Sequence, residues 1–143
     1  MRAFFGRLLL GKGTLPDSVR SKLESEGILF LEEGLSGSLR YTRFKAPGRR
    51  FNGKVTAERL GLGVSKERLV LYGRSGAAEL IDSPFSAPNF SWLSVAVEQE
   101  DRLVLTIDYD RSDEDAVEGQ IAIHVLTPNA EEIADALSSH RVG

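Results

Sequence analysis

Between Ile28 and Val125 the apolar residues recur at every second position in about seven short runs, and then the spacing changes once, to that of a helix. A period of two puts alternate side chains on opposite faces of a strand, so it commits the middle of the chain to a sheet. The first run is Ile28 to Leu31. Leu39, Tyr41 and Arg43 then alternate with Arg40, Thr42 and Phe44, and Leu60, Leu62 and Val64 with Arg59, Gly61 and Gly63. Leu69 and Leu71 alternate with Val70 and Tyr72. Leu93, Val95 and Val97 share a face, followed by Leu103, Leu105, Ile107 and Tyr109, then Ile121, Ile123 and Val125. Clusters of Gly, Ser, Asn, Pro or charge bound each run, which predicts a sandwich or barrel of short strands. Ser83 to Asn89 contains Pro84 and Pro88, which cannot donate to a ladder, so it is not a central strand. Trp92 is out of phase with Leu93, Val95 and Val97 and belongs at the mouth or on the outer face.

Two segments carry helical signals. Near Pro16 to Glu26, Pro16 suits a first turn, Asp17 an N-terminus and Gly27 a stop. Leu15, Val19 and Leu23 share one face there, and Arg20–Glu24 and Lys22–Glu26 are candidate pairs of opposite sign four residues apart. At the other end, Thr127 can cap a helix with Pro128 at its first position, and Glu131 and Glu132 lie near the positive end of its dipole. Ala130, Ile133, Ala134 and Leu137 form an apolar stripe, so Ile133 and Leu137 should be buried on the sheet.

A chain of 143 residues, 41% hydrophobic and 27% charged, can bury a core without covalent staples. It has no cysteine, which excludes disulfides, thiolate metal sites and a cysteine nucleophile, and suits a reducing cytoplasm. No apolar run approaches the roughly 20 residues that span a bilayer. In the first 13 residues Gly6 and Arg7 interrupt the apolar run and no Ala-x-Ala follows, so this stretch reads as mature protein rather than a signal peptide. The net charge of −3 is unevenly spread: residues 1–74 carry +8 and residues 75–143 carry −11. Strands from both halves can interleave in one sheet, so this asymmetry alone does not polarise a surface.

Motifs for chemistry fail on inspection. Gly6 to Lys12 has the spacing of a P-loop, but Gly13 stands where Ser or Thr must hold magnesium, and only five residues precede Gly6. Gly61-x-Gly63 lies inside a strand and is no dinucleotide fingerprint; it reads as close backbone approach. There is no Gly-x-Ser-x-Gly. His124 and His140 are the only histidines, His124 falls on the face opposite Ile123, and no carboxylate spacing makes a metal site of them. The acidic stretch Asp108 to Glu118 fails as an EF-hand, because Asp113 occupies the sixth position and Gly119 the twelfth; it is expected to be a solvated hairpin tip. No nucleophile, acid and base set can be named, so a non-enzymatic protein with no cofactor and no metal is expected.

The run Leu60-Gly61-Leu62-Gly63-Val64-Ser65-Lys66-Glu67-Arg68-Leu69-Val70-Leu71-Tyr72 resembles the hairpin of bacterial pleckstrin-homology (PH) and GRAM-type domains, an apolar strand, a Ser/Thr-x-x-Arg-Leu turn and a second apolar strand. Pro84-Phe85 before the strand at Trp92 to Val97, and the helix at Thr127 to Leu137, are similar to the later elements of those domains. The resemblance covers about residues 28–138. It implies a mainly β fold with a C-terminal helix, a two-sheet, seven-stranded PH-like barrel plugged at one end, over residues 28–143. Residues 1–27 then form an N-terminal segment with a short helix. It also implies a bacterial-type binding module. A lipocalin-like cup is the alternative fold, although it needs more strands.

The segment Arg40 to Arg59 holds seven basic residues and one acid, Glu58, with Tyr41, Phe44 and Phe51 among them. Ala46 to Lys54 reads as a flexible basic loop, and Arg43, Lys45, Arg49, Arg50 and Lys54 are the candidate ligand-binding residues. Phosphoinositide-binding PH domains carry Lys-xn-Lys/Arg-x-Arg on the first hairpin. No basic-x-Arg pair follows Lys45, so a charged face is expected rather than a specific headgroup pocket. The expected function is an interaction module for an acidic protein surface or anionic lipid, in the cytoplasm or at the membrane periphery. Nucleic acid is the less favoured partner, and a homo-oligomer is left open. Two alternatives stand beside it. One is a membrane-surface protein anchored by Phe4, Phe5 and Leu8 to Leu10. The other is a small-ligand carrier with an open barrel, which needs a cavity of several hundred Å³.

Overall fold

The computed structural model describes residues 15–111 and 116–140. The expectations for Gly6 to Gly13 and for the N-terminal anchor lie outside them, as does the tip of the acidic stretch. The described chain is mainly β, with a short helix before the strands and one after them, as the periodicity predicts. The elements are α1 (Asp17–Glu26), β1 (Ile28–Ala46), β2 (Arg49–Phe51), β3 (Val55–Ser65), β4 (Arg68–Gly73), β5 (Ala78–Pro84), β6 (Leu93–Glu98), β7 (Arg102–Asp108), β8 (Glu118–Leu126) and α2 (Ala130–Ser138). The chain forms two compact units, one made of residues up to Ser36 with Glu58–Ala87, the other of Gly37–Ala57 with Pro88–Gly143. The long strands β1 and β3 contribute residues to both.

In the first unit the strand order is β1, β3, β4, β5. Leu15 and Leu23 of the helical segment are buried with Val70 and Tyr72, and Val19, Ile28 and Leu31 pack around them. Gly63 makes this possible: a Cβ there would collide with Leu23 Cδ1, so the helix rests on the bare backbone of β3. The expected Arg20–Glu24 and Lys22–Glu26 pairs do not form. Arg20 instead pairs with Asp17 at 2.7 Å and with Glu33 of β1 at 3.1 Å. Glu26 turns to Arg68 at 2.9 Å. Glu33 and Arg68 are partners of low exposure from other elements, and Asp17 lies three residues from Arg20 on the same helix; these prevail over the solvated neighbours four residues away, whose contribution is only a few tenths of a kcal/mol.

The Ser-x-x-Arg turn has a structural use for both of its polar residues. Ser65 Oγ accepts hydrogen bonds from the amides of Glu67 and Arg68, both at 3.0 Å, and donates to Glu26 Oε1 at 2.7 Å. Arg68 donates Nε to both oxygens of Glu26 and Nη1 to Asp82 of β5 at 2.8 Å. One turn thus ties the end of α1 to β5. Nearby, the Tyr72 hydroxyl donates to Glu79, and burial with that carboxylate pushes its pKa up to about 12.

The second unit is an antiparallel meander, β6, β7, β8, with β8 pairing back onto β1. Val95, Leu105, Ile123 and Leu39 lie in register across all four strands, and Leu105, Ile123 and Leu39 are buried. Ile133 and Leu137 of α2 are fully buried, as the stripe requires, and the helix packs on β6 and β7. It begins later than its sequence suggests. Asn129 occupies the N-cap position, while the Thr127 hydroxyl accepts the Asn129 amide at 3.1 Å and shapes the turn before it. Trp92 is half-buried at the end of the short 3-10 turn Pro88–Trp92 that leads into β6. The start of the acidic stretch is also ordered as a 3-10 turn, Tyr109–Arg111.

Candidate anion-binding face

The basic residues sit where β1 loses its alternation. Strict period two after Leu39 and Tyr41 would bury Arg43 and expose Phe44. The structure does the reverse: Phe44 is 7% exposed and Arg43 is on the surface. A β-bulge between Thr42 and Lys45 inserts the extra residue, with Arg43 at φ +47°. Bulges re-aim side chains in this way. The displaced Arg43 amide donates to Asn52 Oδ1 at 3.1 Å, and Tyr41 exchanges backbone bonds with Gly53 and Lys54. On the opposite strand Gly119, at φ +91°, lies against the Arg43 carbonyl with no room for a Cβ.

The segment expected to be a flexible basic loop is a β-hairpin. Phe44, Lys45 and Ala46 pair with Phe51, Arg50 and Arg49 across the two-residue turn Pro47-Gly48. Pro followed by Gly supplies the fixed φ and then the positive φ that a type II turn needs, so the turn is local chemistry rather than slack chain. Under the hairpin lies an aromatic cluster. Tyr41 packs edge-on against Phe44 and Phe51, with centroids at 5.4 and 5.0 Å, and Phe44 meets Tyr109 at 5.8 Å. Burial of Tyr109, and then the neighbouring Tyr41, raise its pKa above the ordinary phenol value. Such ring pairs add about 0.5–1.5 kcal/mol each beyond burial, which holds the hairpin on β1.

All five candidate cations, Arg43, Lys45, Arg49, Arg50 and Lys54, are exposed on this hairpin and its continuation. Lys54 Nζ stands 4.1 Å from the Phe51 ring centroid. Lys45 and Arg50 are direct cross-strand partners. None of the five forms an ion pair among the described residues. An open groove of about 280 Å³ is lined by Lys45, Ala46, Gly48, Arg49 and Arg50. Arg43 and Lys54 do not line this groove, and neither do the two other basic residues of the stretch. Arg59 donates to Gly34 and Ser36 in the first unit. Arg40 lies on β1 near His124, whose pKa is lowered by burial and then by that guanidinium.

Sequence reasoning missed Asn52, Gly119 and Tyr109, which hold the bulge and the rings. The signal was present in the three-residue step from Tyr41 to Phe44, which breaks a period of two, and in the Asn52-Gly53 dipeptide. Among the described residues no helix is long and apolar enough to cross a membrane. Compared with known proteins, the chain matches no family model and no curated sequence.

Proposed function

We propose that this chain is a non-enzymatic interaction module of PH-like type that docks an anionic surface, acidic protein or anionic lipid, on the β1–β2 hairpin. The antiparallel meander followed by a helix packed on β6 and β7 is compatible with that superfold. The observation that carries the reading is Lys45 directly opposite Arg50. Like charges facing each other across a ladder oppose its formation. Glu118 is the register partner of Lys45 on β8, but none of the hairpin's cations forms an ion pair among the described residues, so with Arg43 and Arg49 close by the hairpin gains from an external anion. Each cation near an anionic surface contributes about 1 kcal/mol within a Debye length of about 8 Å. Co-sedimentation with anionic and neutral vesicles, with and without Arg49→Gln/Arg50→Gln, tests it.

A further inference from the structure

The seven-strand path ends in two edge strands, β5 and β6, and the two are treated differently. Natural edges are guarded with proline, lysine or bulges, because unpaired amides and carbonyls invite another strand. In the first unit β5 ends in Pro84, and its pairing with β4 is broken at Leu71/Tyr72. In the second unit β6 has neither device. Leu-Ser-Val-Ala-Val-Glu pairs with β7 in unbroken register from Leu93 to Glu98, and β7 is its only strand neighbour among the described residues. Beside the end of β6 runs a groove of about 330 Å³ lined by Val97, Ala134, Glu100, Glu131 and Asp135. Val97 and Ala134 supply its apolar lining, and the three carboxylate side chains belong to exposed residues.

The same unit carries the complementary surface. Strand β2 also has a single strand neighbour, β1, and presents Arg49 and Arg50 beside Lys45. Pairing β2 with β2 would oppose cations, and pairing β6 with β6 would leave the carboxylates beside its end without cations. Pairing β2 with β6 matches charge as well as backbone. Where a copy gives β2 to one neighbour and the β6 edge to another, the contact is heterologous and propagates from copy to copy, whereas reciprocal pairing of both edges between two copies would close a symmetric dimer.

We propose that an anionic partner of the basic hairpin is a second copy of this chain: β2 of one copy adds to the open edge of β6 in the next, with its arginines in the groove of Glu100, Glu131 and Asp135. This rests on the reading of the hairpin as the docking face. Strand addition supplies main-chain hydrogen bonds, and the charge pairs set orientation and partner.

Sedimentation velocity of the intact chain tests it. At low ionic strength the native chain should form species beyond the dimer as concentration rises, and about 1 M salt, where the Debye length is about 3 Å, should return it to monomer. Arg49→Glu/Arg50→Glu and Glu131→Lys/Asp135→Lys should each lose all species above monomer, with unchanged circular dichroism. Each variant retains one intact face, so an equimolar mixture should give a one-to-one dimer that grows no further. A native chain that stays monomeric, a closed symmetric dimer, or association unaltered in either variant overturns the proposal. Vesicle binding by the same proteins separates the two readings. If the native chain is monomeric and Arg49→Glu/Arg50→Glu loses vesicle binding, the second-copy partner falls and the anionic face stands. If Arg49→Glu/Arg50→Glu alters neither vesicle binding nor association, both fall.

Discussion

Gly119 of β8 lies so close to the carbonyl of Arg43 on β1 that a single added carbon would collide with it. The contact holds the bulge that turns Phe44 inward and Arg43 outward, so the position of the basic hairpin depends on a glycine far from it in sequence.

Gly119→Ala should therefore destabilise the protein. It adds the collision to the cost of a side chain at φ +91°, and residues held in such regions cost about 1–3 kcal/mol. Denaturant unfolding measures the loss. A midpoint unchanged from that of the native chain would show that the bulge does not need this close approach.

The C-terminal helix gives a simpler expectation. Leu137 is fully buried, and Leu137→Ala should cost about 2–5 kcal/mol, the range for a leucine removed from a core. An effect of only a few tenths on the unfolding free energy would mean that α2 does not close the core of its unit.

In the first unit, Ser65→Ala and Arg68→Ala should both loosen α1. Arg68 loses two charged partners, Glu26 and Asp82, and leaves them with little exposure, so about 1–3 kcal/mol is expected. Amide hydrogen exchange should show the loss first in residues 17–26. Uniform loss across both units would instead assign these residues to global stability.

His124 supplies the pH dependence. Burial, then Arg40, lower its folded pKa below the ordinary value of about 6.5. The native state thus binds fewer protons than the unfolded state in that range, and stability should fall as pH drops from about 6.5 through the folded pKa. Glu98 acts in the opposite sense, and Arg102 adds to the lowering. His124→Gln should flatten this part of the profile, and thermal melts of both proteins across the window decide it. Parallel profiles would remove His124 as the cause.

The elements themselves were legible because period two and period 3.6 are visible without tertiary information. The runs through Leu60 to Tyr72, Leu93 to Val97 and Leu103 to Val125 become strands, and the stripe through Ile133 and Leu137 becomes the buried face of α2. What was not legible depends on contacts distant in sequence. Arg20 and Glu26 have partners four residues away on their own helix and pass them over, Arg20 for Asp17 and the little-exposed Glu33, Glu26 for the little-exposed Arg68. Arg43 and Phe44 exchange faces because Gly119 admits a bulge. The basic candidates were readable as a cluster of charge. That Lys45 and Arg50 face each other required the register of a hairpin, which a reading of Ala46 to Lys54 as loop cannot supply.

The central claim is that the hairpin is an electrostatic docking face, and vesicle co-sedimentation tests it most directly. The intact chain should bind anionic vesicles at low salt and neutral vesicles not at all. Arg49→Gln/Arg50→Gln should weaken that binding by about one to two decades, since two cations contribute about 1 kcal/mol each. Raising salt should do the same. A native chain that binds no anionic vesicles would remove the lipid and leave an acidic protein as the partner, and a double variant that binds them as tightly as the native chain would contradict the account.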